Sequence, residues 1–154
     1  FHKDCYDATL LNLVAHVVSV ESPISDVNLV QRIARGHGFM KAGRLIRERV
    51  LECAESSFNV RMDPLGGRFI WAHEDAPRQW ASYRVAVFDE QTRRIEDIPF
   101  EELRAAYIGL ACEDPATEIA RAFGVKRLSA VNRERLLTMI QICEAGGSRD
   151  TQIV

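Results

Sequence analysis

Along residues 7–20, Leu10, Leu13, Val14, Val17 and Val18 recur every three or four places, the spacing of one helix face, and Glu21-Ser22-Pro23 ends the run. Ser25-Asp26 then offers an N-cap for a second helix whose inward face is Val27, Val30, Ile33 and Ala34, and which closes in Gly36-His37-Gly38. A third helix is predicted over residues 41–56, with Ala42, Leu45, Ile46, Val50 and Cys53 on one side. The period then changes. Phe58, Val60 and Met62, then Phe69 and Trp71, alternate at period two around Asp63-Pro64-Leu65-Gly66-Gly67, the pattern of a β-hairpin.

Residues 73–79 are polar and read as a linker, and Tyr83–Phe88 alternates like a strand that turns at Asp89. Ile98-Pro99-Phe100-Glu101-Glu102 starts another helix, with proline in its first turn and acids at the positive end of its dipole. Asp114-Pro115 opens the next helix, Gly124 marks a turn, and residues 126–145 form a last helix. These elements echo the first half. IARGHGFMKAGRLIRERVL, Ile33–Leu51, aligns without a gap on IARAFGVKRLSAVNRERLL, Ile119–Leu137, with eight of nineteen positions identical. An internal repeat of this kind bears on the whole fold. The expected fold class is α+β and mainly α, with tandem winged-helix-like (helix-turn-helix) repeats and a small β-hairpin wing. Residues 1–76 are the first unit and 77–98 a linker with a short strand. Residues 99–154 are a second helix-turn-helix unit with its wing truncated after Gly146-Gly147.

Composition changes this picture little. Net charge is −2 and pI about 6.1, so a grip on nucleic acid has to come from a local basic face. No apolar run approaches the roughly 20 residues that span a bilayer, and a cytoplasmic location is expected. Cys5, Cys53, Cys112 and Cys143 form no CxxC pair and lack histidines at zinc-ligand spacing, which predicts reduced thiols, no metal and no cofactor. Phosphate-cradling, HExxH and GxSxG motifs are missing, and Asp89-Glu90 and Glu96-Asp97 read as solvated turns, so no catalytic residue is expected. The chain begins at Phe1, which suggests a piece of a longer protein.

In a helix-turn-helix the third helix meets base edges near its N-terminus while flanking cations meet phosphates. With Ala42 and Ile46 inward, Lys41 and Arg44 face outward and Arg47 lies at the flank. Arg61 and Arg68 flank the hairpin turn, where a wing touches phosphate. Lys126, Arg127 and Arg133 take the matching part in the second copy. Glu48 is expected to pair with Arg44, and the twins Arg49 and Arg135, beside the apolar stripe, to bridge to a carboxylate of a neighbouring helix. Asn132 stands at an inward position and needs a polar partner unless the helix is rotated.

GHGFMKAGRLIRERVL, with VESPISDVNLVQRIAR before it and GGRFIW and IEDIPFEEL after it, resembles the uncharacterised domain that closes certain large bacterial proteins. Those proteins combine a superfamily 1 helicase-like motor with a restriction-endonuclease-like segment. The resemblance implies the tail of a nucleic-acid-processing machine, with no catalytic residues of its own. Two functions are expected on these grounds: a duplex-DNA-binding accessory domain, or a module that docks onto the rest of the parent chain or forms a homodimer.

Overall fold

The Ser25 hydroxyl accepts a hydrogen bond from the Asn28 backbone N–H at 3.3 Å and so starts a helix at the predicted place. In the computed structural model, which describes residues 7–74 and 76–147, that helix, α2 (Asp26–Gly36), follows α1 (Asp7–Glu21) and a two-residue strand, β1 (Ile24–Ser25). Then come α3 (Arg44–Ser57), β2 (Asn59–Met62), β3 (Arg68–Trp71) and the short α4 (Ala76–Gln79). Two 3-10 turns, Asp89–Gln91 and Ile95–Asp97, precede α5 (Phe100–Leu110), α6 (Pro115–Ala122) and α7 (Ala130–Gly147). The chain divides into two compact units, Phe1–Arg78 and Gln79–Val154. The whole is mainly helical α+β.

In the first unit the strands form an antiparallel sheet of order β1-β3-β2, with Ile70 opposite both Ile24 and Val60. Strand β1 escapes the sequence pattern because two residues are too few to alternate. Ile24 and Ile70 join Leu10, Val14, Leu29, Ile33 and Val50 in one apolar cluster, while Phe69 and Trp71 are buried as well. The predicted helix faces need correction. Leu29 is buried where Val27 is 40% exposed, and Leu51 and Ala54 are buried where Leu45 is 58% exposed. The third helix begins at Arg44 behind an N-capping Gly43, so Lys41 and Ala42 precede it and do not share its projection.

The second unit packs α5, α6 and α7 around Leu103, Ile119, Phe123, Leu136 and Met139. Its predicted strand, Tyr83–Phe88, is not formed. The N–H groups there go elsewhere: Ala86 N donates to Ala122 O at 2.9 Å, and Val87 N and Phe88 N donate to Gln91 Oε1 at 2.8 and 3.2 Å. Within 77–98, Ile95 and Ile98 are fully buried. The helix α7 starts at Ala130, leaving Lys126 and Arg127 in the preceding turn, and runs through Gly146, where the second wing was expected to begin. Residues 148–154 lie outside the described residues, as does Cys5.

Both copies of the repeated stretch form helix, glycine turn, helix. Gly38 (φ 77°) and Gly124 (φ 83°) take the left-handed backbone that glycine adopts without strain. Gly38 N donates to Arg35 O and Gly124 N to Arg121 O, each at 2.9 Å. The surroundings differ. A Cβ on Gly38 would meet nothing within 4 Å, whereas one on Gly124 would come within 2.5 Å of Thr92 Oγ1 and 2.9 Å of the Ala86 Cβ.

Glu102, in the first turn of α5, is a fully buried carboxylate. Arg84 donates to it from its backbone N (2.9 Å) and Nη2 (2.8 Å), and Arg93 from Nη1 (3.0 Å) and Nη2 (2.6 Å). The Arg93 guanidinium also lies over the Phe123 ring, 5.2 Å from its centroid. Burial pushes the Glu102 carboxyl up, but hydrogen bonds and charge from Arg93 and Arg84 outweigh it and hold the carboxyl below the ordinary range. Because its folded pKa is depressed, its stabilising contribution is present above the ordinary glutamate range and is lost as pH falls through the folded value. Glu102→Gln should therefore cost about 3–5 kcal/mol at neutral pH, leaving two guanidinium groups facing a neutral amide. Thermal unfolding from neutral pH to about pH 3 should fall less steeply in the variant; parallel curves would contradict the assignment.

Candidate functional site

The cations singled out in the sequence are mostly engaged within their own units. Arg47 Nη2 donates to Asp26 Oδ2 at 2.8 Å, and Arg68 reaches the same oxygen from Nε and Nη2 at 3.4 Å. Asp26, whose side chain is 10% exposed, thus joins the start of α2 to α3 and β3. Arg68 also binds Glu55 at 2.9 Å, and Arg44 binds Glu48 at 2.9 Å. Arg61 folds back onto Asn59 Oδ1 (3.2 Å) and Glu74 O (3.3 Å). The hairpin arginines therefore turn toward the body of the unit. Arg49 binds Asp7 of α1, the cross-helix bridge its place beside the apolar stripe predicts.

The second unit repeats the latch more loosely. Arg133 approaches Asp114 Oδ1 at 3.5 Å and Thr117 Oγ1 at 2.9 Å, and the Thr117 hydrogen bonds together with Arg133 hold the exposed Asp114 carboxyl below its ordinary range. Lys126 pairs with Asp89 at 3.0 Å. Asn132 is half-buried and lines a cleft of about 590 Å³ with Thr92, Arg94, Lys126 and Arg127.

Among the described residues Lys41, Arg127 and Arg35 pair with no carboxylate. Arg35 falls outside the third helix on which the sequence places its contacts; its signal is its position in the last turn of α2, immediately before the glycine turn. Arg35 and Lys41 both line a cleft of about 320 Å³, walled by Val27 and Val30 of α2 and by Phe39 and Met40 of the turn. A larger cleft, about 660 Å³, lies between α1 and α3. Its charged lining is Asp7, Glu48 and Glu52 with Arg49, which pairs with Asp7, so the acids outnumber the cation and disfavour phosphate. Cys53 lies there with its thiol pushed up by burial and by the Asp7 carboxylate, opposite to the activation a nucleophile needs.

No helix among the described residues is long and apolar enough to cross a membrane, and none of their His, Cys, Asp and Glu side chains gather in a group that could hold a metal ion. A family profile described as a protein of unknown function (DUF3320) matches residues 1–48, a stretch that takes in α1, α2, the glycine turn and the start of α3. No curated protein and no solved structure matches the chain.

Asp26→Asn should lower the stability of the first unit by about 1–3 kcal/mol, since it weakens charged hydrogen bonds to two arginines at a nearly buried position. Asp114→Asn should cost less, because its pair is solvated. Urea unfolding of the two variants checks this, and equal losses would contradict it.

Proposed function

We propose that the chain is a non-enzymatic nucleic-acid-binding module, with duplex DNA as its first ligand, acting as an accessory part of a longer helicase- or nuclease-type protein. The observation that carries the reading is local. Arg35 and Lys41, without carboxylate partners, stand on either side of the glycine turn that joins α2 to α3. A helix-turn-helix meets the phosphate backbone with this part of its surface. The order helix, strand, helix, helix, strand, strand in the first unit, with sheet order β1-β3-β2, is compatible with a winged helix and supports the same reading. The eight identities between the two copies support the tandem description.

The contact set shifts from that expected at first. Lys41 stays and Arg35 joins it. Arg44 and Arg47 lie at the start of α3 with part of their charge offset by Glu48 and Asp26, and Arg61 and Arg68 are drawn inward. In the second unit Arg127 keeps an unpaired charge, while Lys126 and Arg133 are neutralised by Asp89 and Asp114. A second reading, docking onto the rest of a longer chain or onto a second copy, is favoured by the exposed apolar run Val85, Val87 and Phe88.

Fluorescence anisotropy of the chain against a labelled duplex over a salt series tests the proposal. Affinity should fall steeply with salt, and Arg35→Ala/Lys41→Ala should reduce the slope of log K against log salt by about two, one per lost phosphate contact. The variant Arg61→Ala should leave the slope alone. Salt-insensitive binding, or a double variant that behaves like Arg61→Ala, would contradict the reading.

A further inference from the structure

The α2–α3 turn carries more than charge. Phe39 is 41% and Met40 93% exposed, and Phe39 stacks on His37 with ring centroids 6.5 Å apart. Met40 is almost wholly exposed and Phe39 partly so, and phosphate contact does not call for apolar side chains there. They line the cleft together with Val27, Val30, Gln31, Arg35 and Lys41. At about 320 Å³ it lies at the small end of ligand pockets, a size suited to one flat ring system and not to a helix.

The second copy supplies an internal contrast. Val125 and Lys126 stand where the first has Phe39 and Met40. There Thr92 and Ala86 press on the glycine turn, and Lys126 is bound to Asp89. The chain thus closes one turn with its own extended segment, while the Gly38 position of the other is bare.

We propose that the cleft beside the first turn takes an unpaired base, at a duplex end or a single-strand/duplex junction, stacked on Phe39 and Met40. Gln31 offers its amide to the base edge, and Arg35 and Lys41 hold the flanking phosphates. Aromatic stacking beside unpaired cations is the chemistry that single strands select, because every base has a π-face. This rests on the nucleic-acid reading and narrows its ligand from plain duplex to duplex with an unpaired extension.

The test is anisotropy with three oligonucleotides of common sequence: a blunt duplex, the same duplex with a short single-stranded tail, and the single strand. Wild type should bind the tailed duplex ~10-fold more tightly than the blunt one. Phe39→Ala should abolish that preference while blunt-duplex affinity stays within about two-fold, and Phe39→Trp should retain it. Circular dichroism confirms that each variant folds. Equal binding of tailed and blunt duplex by wild type, or a preference that survives Phe39→Ala, overturns the proposal and leaves the duplex reading standing. Failure to bind any of the three overturns both.

Discussion

The carboxylate of Asp26 holds the first unit in register. It sits at the start of α2 and takes a hydrogen bond from Arg47 of α3 at 2.8 Å and longer ones from Arg68 of β3 at 3.4 Å. One nearly buried acid therefore couples the second helix, the third helix and the central strand. An isolated charge there would be costly, and two guanidinium partners with directional hydrogen bonds offset that cost while fixing geometry. The coupling also consumes charge. Arg47 and Arg68, which look from the sequence like phosphate contacts, are both held by Asp26, whereas Arg35 and Lys41 beside the turn between α2 and α3 pair with no carboxylate.

That turn is one solution used twice in different surroundings. Gly38 and Gly124 share the left-handed backbone and the same bond back to the arginine three residues before. In the second unit the turn is covered by residues of the segment before α5, and a buried Glu102 bound by Arg84 and Arg93 anchors that segment. In the first unit a small sheet packs against the helices instead, and its turn stays open. One copy has its surface closed by its own chain, and the other presents cations and an aromatic ring. The two stretches share the glycine turn and differ in what surrounds it.

Much of the scaffold was legible because helical periodicity and punctuation are local. The Ser25 cap, the Glu21-Ser22-Pro23 break, the paired glycines and the hairpin at Asp63–Gly67 are all encoded within a few residues. What failed was phase and partnership. Taking Ala42 as the first inward residue of α3 put Leu45 inside, but the helix starts two residues later and Leu51 and Ala54 fill that place. The alternation of Tyr83–Phe88 reads like a strand, yet among the described residues no strand pairs with it, and N–H groups such as those of Ala86 and Val87 go to a helix end and a side chain. Long-range ion pairs were least legible. Nothing near Arg68 in the chain reveals that Asp26, 42 residues away, claims it. The same blindness hid Glu102, which reads as a helix-start acid until Arg84 and Arg93 close over it.

On the proposed nucleic-acid reading, the open turn of the first unit, and not the acidic cleft between α1 and α3, meets the ligand. Backbone amide shifts of the labelled chain, followed by NMR while a short duplex is added at low salt, test it most directly. The largest shifts should fall on Arg35 through Arg44, with little change at Ala8, Leu11, Glu52 and Ser56. Shifts centred on the α1–α3 cleft or on Val85–Phe88, or none at all, would contradict it.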